Sequence, residues 1–188
     1  MSYFPIFEDI EGRHCLIVGG GRVAARKAEK LRPFKPCLSV CAPGICDEIR
    51  NMDGVELIER EFAEEMLAGA DMVIAATDNS ELNHKISALC KEKKIPVNVV
   101  DDKDYCSFIF PALINRGSMT IGITTGGASP LAARKTREII EQALPENIEE
   151  ALEMLESIRG DIKRRYESEK ERMGALEEEW EKITGKSI

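Results

Sequence analysis

The sequence contains no apolar run near the roughly 20 residues that a helix needs to cross a bilayer. Its first residues, Met1 to Pro5, also lack the charged and then apolar pattern of a secretory signal. We therefore expect a protein of the cytoplasm without a membrane partner. The net charge of -8 gives the chain little reason to bind nucleic acid or an anionic lipid surface.

None of the six cysteines stands in a Cys-x-x-Cys pattern, which is a usual sign of a redox or zinc site. Most of them lie within apolar segments, where cysteine commonly behaves as a small buried hydrophobe. We interpret the cysteines as structural and expect no bound metal. A metal-binding role stays open for the cluster of Cys37, Cys41 and Cys46.

The segment from residue 105 to residue 137 contains no acidic side chain. Its basic side chains are Arg116, Arg134, Lys135 and Arg137. A local excess of positive charge in an acidic protein favours the binding of an anionic small molecule. The alternative interpretation is that these cations only solvate one face of a helix.

The most informative pattern joins a strand to a glycine turn. The apolar run from Cys15 to Val18 predicts a strand buried on both faces, and it continues directly into Gly19-x-Gly21-x-x-Ala24. This is a variant of the dinucleotide fingerprint with alanine in place of the third glycine. Glycines allow a tight turn and a close approach, and the N-H groups that begin the next helix attract a pyrophosphate. A glycine turn can also serve close strand-helix packing alone.

Strand and helix patterns alternate up to about residue 100. The predicted strands are His14 to Val18, Cys37 to Cys41, Val55 to Glu59, Met72 to Ala76 and Pro96 to Val100, and the predicted helices are Val23 to Leu31, Asp47 to Asn51, Glu64 to Leu67 and Asn79 to Lys91. This order predicts a parallel α/β sheet with helices on both faces. Ligands of such sheets bind at the carboxyl ends of the strands. Thr77 and Asp78 follow the fourth strand and Asp101 follows the fifth, so we expect them beside the glycine turn.

The pattern changes after residue 105. The runs from Ser107 to Ile114 and from Met119 to Thr124 predict an antiparallel hairpin with a turn at residues 115–118. A helix is predicted from Leu131 to about Ala143, with Ser129 as its N-cap and Pro130 in its first position. The N-terminus of this helix suits an anion, although Ser-Pro is also common as a cap without a ligand.

The last forty residues predict helices with one apolar stripe. Apolar residues recur in steps of three and four from Ile148 to Ile183, which is typical of helices that pack in a core or against a second subunit. Gly160 and Gly174 are expected to interrupt the segment, because glycine disfavours a helix interior.

Six short motifs follow one another along the chain. They are Pro5-Ile6-Phe7, the run from Cys15 to Lys27, Ala75-Ala76-Thr77-Asp78, Asn98-Val99-Val100-Asp101, Ser107-Phe108-Ile109-x-Pro111 and Thr125-Gly126-Gly127-x-Ser129-Pro130. Together they resemble the precorrin-2 dehydrogenase family, the NAD-dependent module of sirohaem synthase, over about residues 3–140. The resemblance implies a homodimer that uses NAD to oxidise precorrin-2 to sirohydrochlorin.

The resemblance also implies a division of the chain and roles for single residues. It implies a Rossmann domain at 1–110 and a small β-hairpin and helix dimerisation domain at 111–144. The apolar stripe of the tail predicts a C-terminal helical domain at 145–188. Asp101 is implied as the catalytic residue, with a turn cap as the alternative. The cofactor-binding candidates are Gly19, Gly20, Gly21, Arg22, Val23, Ala24, Thr77, Asp78 and Asn98. The candidates for binding the polyanionic precorrin-2 are Arg116, Gly126, Gly127, Ser129, Arg134 and Arg137.

Three questions stay open at this level. The second predicted strand runs into Ala42 and Pro43 without the usual acidic residue, so NAD rather than NADP rests on the resemblance alone. Some relatives also insert ferrous iron, and Asp101 or His84 could take part in that step. An NAD-sensing regulatory module without catalysis would explain the first hundred residues and the apolar tail, but not the hairpin or the acid-free stretch.

Overall fold

The computed structural model describes residues 3–185, which divide into two units after Phe110. The first unit contains strands β1 (His14–Val18), β2 (Cys37–Cys41), β3 (Val55–Ile58), β4 (Met72–Ala75) and β5 (Val97–Val99), helices α1 (Arg22–Leu31), α2 (Asp47–Arg50) and α3 (Ser80–Glu92), and 3-10 turns at Arg32–Phe34, Glu64–Leu67 and Lys103–Tyr105. The predicted alternation of strands and helices is confirmed. The division into three domains stays a prediction.

The five strands of the first unit form one parallel sheet in the order β3-β2-β1-β4-β5. Strands β1 and β4 are apolar because both of their faces are covered, whereas the edge strand β3 contains the exposed Glu56. The chain progresses outward from β1 in one direction to β3 and in the other direction to β5. The strand order therefore reverses between β1 and β4, and a crevice opens there at the carboxyl ends of the strands.

Alternate residues of β1 face opposite layers of the core. Ile17 packs in one cluster with residues of α1 and α2, among them Ala28 and Ile49. Leu16 packs in a second cluster on the other face, with Ile86 of α3. The sheet is therefore covered by helices on both faces, and the predicted Rossmann-like fold class is confirmed.

The second unit consists of a hairpin and three helices. Its elements are β6 (Ala112–Arg116), β7 (Met119–Ile123), α4 (Pro130–Ala143), α5 (Ile148–Arg165) and α6 (Glu169–Thr184). The two strands are antiparallel, and Gly117 enters the turn with a φ of 57°. Among residues 3–185, no helix combines the length and the apolar character that spanning a membrane requires.

The first hairpin strand begins later than predicted. Ser107 belongs to the edge of β5, because its N-H donates to the carbonyl of Val97 over 2.8 Å and its hydroxyl accepts from the N-H of Val97 over 2.8 Å. Strand β6 starts only at Ala112. The start of the apolar run therefore pairs with β5 and its end pairs with β7, and the sequence pattern does not distinguish the two parts.

The prediction that glycines interrupt the tail is wrong. Gly160 lies inside α5 and Gly174 lies inside α6. The helices separate instead before Ser168, whose hydroxyl accepts from the N-H of Glu171 while the Glu171 carboxylate accepts from the N-H of Ser168. An interior glycine costs about 1 kcal/mol, and a reciprocal cap can contribute as much at a specific start position.

Candidate active site

A cleft of about 860 Å³ opens at the carboxyl ends of the strands in the first unit. It is lined by the segments that follow each of the five strands: Val18–Val23, Cys41–Gly44, Glu61, Phe62, Ala76–Asn79, Leu82, Val100 and Asp101. The structure thus brings together the glycine turn, Thr77, Asp78 and Asp101, which lie far apart in the sequence.

Gly19 and Gly20 are required by close contacts within the protein, independently of any ligand. Gly19 has a φ of 127°, and a Cβ there would overlap the carbonyl oxygen of Ala76. A Cβ on Gly20 would overlap the carbonyl oxygen of Gly44 and come within 2.9 Å of the Cβ of Ala42. The turn is therefore pressed against the segments that follow β2 and β4.

Gly21 differs, because a Cβ at this position would meet open space. It is the N-cap of α1, and the helix continues with Arg22 and Val23, whose N-H groups have no partner four residues earlier within the helix. The helix dipole adds partial positive charge at this end. The space in front of Gly21 and these N-H groups together fit a pyrophosphate. Ala24 is fully buried and contributes only the close helix-strand contact.

The loop after β4 is held by one buried amide. The Oδ1 atom of Asn83 accepts from the Thr77 hydroxyl over 2.7 Å, and its Nδ2 atom donates to the Thr77 carbonyl over 3.0 Å. Thr77 is therefore fixed from α3, while the neighbouring Asp78 is exposed in the cleft. Sequence reasoning missed Asn83, although a polar residue on the apolar face of a helix is a possible signal for such a contact.

Asp101 is exposed and has a φ of 60°. Aspartate tolerates this left-handed conformation better than most residues. The adjacent Asp102 is used elsewhere, because its Oδ2 atom lies 2.8 Å from Nε2 of His84, whose ring stacks on Tyr105 with centroids 3.6 Å apart. Of the two neighbouring aspartates, Asp101 lines the cleft and Asp102 anchors the loop.

Asn98, a predicted cofactor ligand, is only 5% exposed and its amide is used within the fold. It accepts from Nζ of Lys27 over 3.2 Å and donates to the carbonyl of Phe108 over 3.1 Å. Sequence reasoning also missed Lys27. Burial and, to a lesser degree, the neighbouring ammonium of Lys30 lower the pKa of Lys27 to about 8, while the negative charge of Asp101 acts in the opposite direction. Lys27 and Asn98 therefore connect α1 to the strand that leads to Asp101.

The basic candidates for the substrate lie in the second unit, where each has an acidic neighbour. Arg116 and Arg137 both contact Glu141, at 2.9 Å and 2.5 Å. Arg134 and Lys135 both contact Glu138, at 3.9 Å and 2.7 Å. The two glutamates lie one and four residues after the acid-free stretch. Because side chains three and four residues apart are neighbours on a helix, these carboxylates lie beside the basic side chains of α4.

The start of α4 forms as predicted. The Ser129 hydroxyl accepts from the N-H of Ala132 over 3.1 Å, and Pro130 occupies the first helical position. Gly126 and Gly127 have positive φ angles of 64° and 88°, which glycine adopts without strain. These contacts explain the residues of the turn as a helix cap, and a ligand role for them stays a prediction.

The cysteines are free thiols of two kinds. Burial raises the pKa of Cys15 and of Cys90 to about 11, which keeps both protonated and unreactive. Cys37 is exposed and Cys46 is half-buried. In the part of the chain that the structure describes, no three His, Cys, Asp or Glu side chains are grouped closely enough to hold a metal ion.

Two family models match the chain in succession. A model of an NAD(P)-binding family matches residues 6–112, and a model of the central region of sirohaem biosynthesis proteins matches residues 116–143. The first match includes the whole cleft and more than half of the chain. The chain belongs to this NAD(P)-binding family.

Curated relatives agree with these matches. The chain is 39% identical over 168 residues to the siroheme synthase of Thioalkalivibrio sulfidiphilus, a match that covers 88% of this chain and 34% of that protein. It is 39% identical over 181 residues to the siroheme synthase of Photorhabdus laumondii, with 95% and 38% covered. The chain thus spans little more than a third of the length of these relatives.

One solved structure corresponds to nearly the whole chain. SirC, a precorrin-2 dehydrogenase, superimposes with a TM-score of 0.70 at 25% identity, and the match covers 94% of this chain and 88% of that chain. Together with the family models, this similarity confirms the resemblance that the sequence motifs indicate.

Proposed function

We propose that this chain is an oxidoreductase of sirohaem biosynthesis that converts precorrin-2 to sirohydrochlorin with NAD as the oxidant. The observation that carries the proposal is a single cleft that combines the open space at Gly21 with the exposed carboxylate of Asp101. The relatives, which are siroheme synthases and a precorrin-2 dehydrogenase, support the same reaction.

The residues of the glycine turn would hold the cofactor. The N-H groups of Gly21, Arg22 and Val23 would bind the pyrophosphate at the positive end of α1. NAD, when bound, supplies the acceptor for a hydride. Gly19 and Gly20 keep the turn in place through their contacts with the segments after β4 and β2. Thr77, fixed by Asn83, lines the cleft next to the glycine turn.

Asp101 would accept a proton from the tetrapyrrole. The oxidation removes a hydride and a proton from precorrin-2, so one group of the protein has to take the proton at a position close to the reacting carbon. The Asp101 carboxylate lines the cleft, and its left-handed backbone is held by the anchored Asp102 on one side. On the other side the N-H of Val100 donates to the carbonyl of Ala75 over 3.0 Å.

The second unit would supply the charge complement and the subunit contact. Arg116, Arg134 and Arg137 would exchange their intramolecular carboxylates for those of the substrate, since guanidinium groups bind carboxylates in a two-pronged manner. Leu131 and Ile139 of α4 are 58% and 67% exposed. We assign this apolar surface to a homodimer of the cytoplasm, because large exposed apolar side chains on one helix are typical of association surfaces.

Incubation of the purified chain with precorrin-2 and NAD tests the proposal. We expect one reduced nicotinamide for each sirohydrochlorin, measured by their separate absorbance bands. NAD binding without turnover would contradict the proposal and favour the regulatory module. A parallel incubation of sirohydrochlorin with ferrous iron and no nucleotide decides whether the chain also acts as a ferrochelatase, with uncatalysed insertion at the same pH as the control.

A further inference from the structure

The half of the cleft beyond β2 lacks the usual partner of an adenosine ribose. In dinucleotide-binding sheets an acidic residue near the end of the second strand accepts hydrogen bonds from the ribose hydroxyls. Here β2 ends at Cys41, and the next three residues that line the cleft are Ala42, Pro43 and Gly44. The side chains of these three residues offer no acceptor.

The neighbouring strand brings a carboxylate to the same place. The N-H of Ala42 donates to the carbonyl of Ile58 over 3.1 Å, and Sγ of Cys41 donates to the carbonyl of Arg60 over 3.3 Å. The chain after β3 therefore continues alongside the end of β2. Glu61, which follows Arg60, is exposed and lines the cleft beside the segment after β2.

The adjacent acidic residue does not compete for this role. Both carboxylate oxygens of Glu59 accept from the guanidinium of Arg50, at 2.9 Å and 2.6 Å. These hydrogen bonds hold the pKa of Glu59 below its usual value, and Glu59 is not among the residues that line the cleft. Glu61 is thus the carboxylate that the end of β3 contributes to the cleft.

We infer that Glu61 recognises the adenosine ribose and selects NAD over NADP. The inference rests on the proposed function, because it assigns the adenosine half of the dinucleotide to the part of the cleft beside β2. The carboxylate would accept hydrogen bonds from both ribose hydroxyls of NAD. It would also repel the 2′-phosphate of NADP, since two negative charges at close range raise the free energy of the complex.

Arg22 is a reason why a preference for NAD over NADP requires a nearby negative charge. Arg22 is among the residues that line the cleft at the start of α1. The contact of its guanidinium with Glu48 is long, at 3.7 Å, and its side chain is 88% exposed. An exposed arginine near the cofactor would otherwise attract the extra phosphate of NADP. The negative charge of Glu61 in the same cleft would offset this attraction.

Binding measurements on three variants test the inference. The dissociation constants of NAD and NADP are measured by titration calorimetry for the original chain and for Glu61→Gln, Glu61→Lys and Glu65→Gln, all without tetrapyrrole. Glu65 is an exposed glutamate outside the cleft lining and serves as the matched control for the loss of one charge. Unfolding midpoints confirm that each variant is folded.

We expect the original chain and Glu65→Gln to share one preference for NAD. In Glu61→Gln that preference should fall about tenfold or more, which is the size expected for a hydrogen bond to a charged group, and Glu61→Lys should favour NADP. An unchanged ratio of the two constants in both Glu61 variants would overturn the inference. If the original chain shows no turnover but the Glu61 variants change the nucleotide preference as expected, only the proposed function is overturned. If the original chain binds neither nucleotide, both the proposed function and the inference are overturned.

Discussion

The two units of this chain differ in how completely they bury their apolar residues. Among the described residues, all but four of the buried hydrophobic side chains belong to the first unit, and the second unit contributes Ile114, Ala133, Ile148 and Ala151. In the second unit, Leu131, Ile139, Met154 and Met173 are about half exposed or more, whereas the described large apolar residues of the first unit are this exposed only in the segment before β1, at Phe4, Ile6 and Phe7. The first unit therefore has a core of its own, and the second has apolar surface that suits a partner.

This difference separates two kinds of function. A densely packed sheet fixes the five strand ends, so the segments that line the cleft keep their relative positions. The more thinly packed second unit holds its cations in ion pairs that are partly exposed to solvent. Ion pairs at the surface are individually weak, at about 0 to 1 kcal/mol. The first unit is suited to hold a cofactor rigidly, and the second is suited to exchange its contacts for those of a substrate or a subunit.

Substitutions at two glycines of the turn should have different effects, one on the stability of the first unit and the other on NAD binding. Gly20→Ala places a Cβ inside the van der Waals radius of the Gly44 carbonyl, so we expect it to lower the free energy of unfolding by about 3 kcal/mol or more. Gly21→Ala meets only open space, so its stability should change by about 1 kcal/mol at most while its affinity for NAD falls. Urea unfolding and NAD titration measure the two effects. Equal stabilities for both variants would contradict the account of the turn.

Asp101→Asn should lower turnover without changing the fold. Asparagine accepts the left-handed backbone at this position, which alanine would strain, and it removes the carboxylate that we propose as the proton acceptor. We expect the rate of sirohydrochlorin formation to fall at least about 100-fold, with NAD affinity retained. Asp104→Asn, on an exposed residue outside the cleft lining, is the control. Full activity of Asp101→Asn would remove Asp101 from its role.

Matched isoleucines compare the two units directly. Ile17 is fully buried and Ile139 is 67% exposed. We expect Ile17→Ala to cost about 2 to 5 kcal/mol of unfolding free energy and Ile139→Ala less than about 0.5 kcal/mol for the monomer. If α4 forms a dimer interface, Ile139→Glu should also shift the protein toward monomer in sedimentation at fixed concentration. A dimer unaffected by this change would place the subunit contact elsewhere.

Lys27 should make the stability of the first unit depend on pH. Its pKa is about 8 in the folded state against 10.5 for an ordinary lysine, so between these values the unfolded chain binds more protons and stability rises with pH. The original chain should therefore gain stability relative to Lys27→Met as the pH increases from 8 toward 10.5. Lys85→Met, on the exposed face of α3, is the control. A constant difference across this range would show that Lys27 is not desolvated.

Much of the first unit could be predicted from the sequence because its signals are local. Apolar runs such as Cys15 to Val18 and the glycine turn after them define a strand and its ligand-binding end within a few residues. The later start of β6 could not be predicted, because the run from Ser107 onward fits two neighbours equally well. The position at which the tail divides into two helices depends on the cap at Ser168. The free energy that this cap contributes is similar to the cost of an interior glycine, so the sequence alone does not show which of the two determines the break.

The site was predictable where a role belongs to one segment and unpredictable where it depends on distant contacts. Asp101 follows a strand and could be assigned to the cleft on that basis. Lys27 and Glu61 acquire their environments only when α1 meets β5 and the segment after β3 lies beside the end of β2. The carboxylates of Glu138 and Glu141 were overlooked for the same reason, since their partners lie on another turn of α4 or on β6. Asn83 was missed although its partner, Thr77, is only six residues earlier.

The central claim is that the dinucleotide binds at the start of α1 with its reactive end toward Asp101. A crystal structure of the chain with NAD measures this most directly. We expect density for the pyrophosphate at the N-H groups of Gly21, Arg22 and Val23, with the adenosine toward Glu61 and the nicotinamide toward Asp101. NAD bound outside the cleft, or bound in the reverse direction with its nicotinamide beside Glu61, would contradict the account.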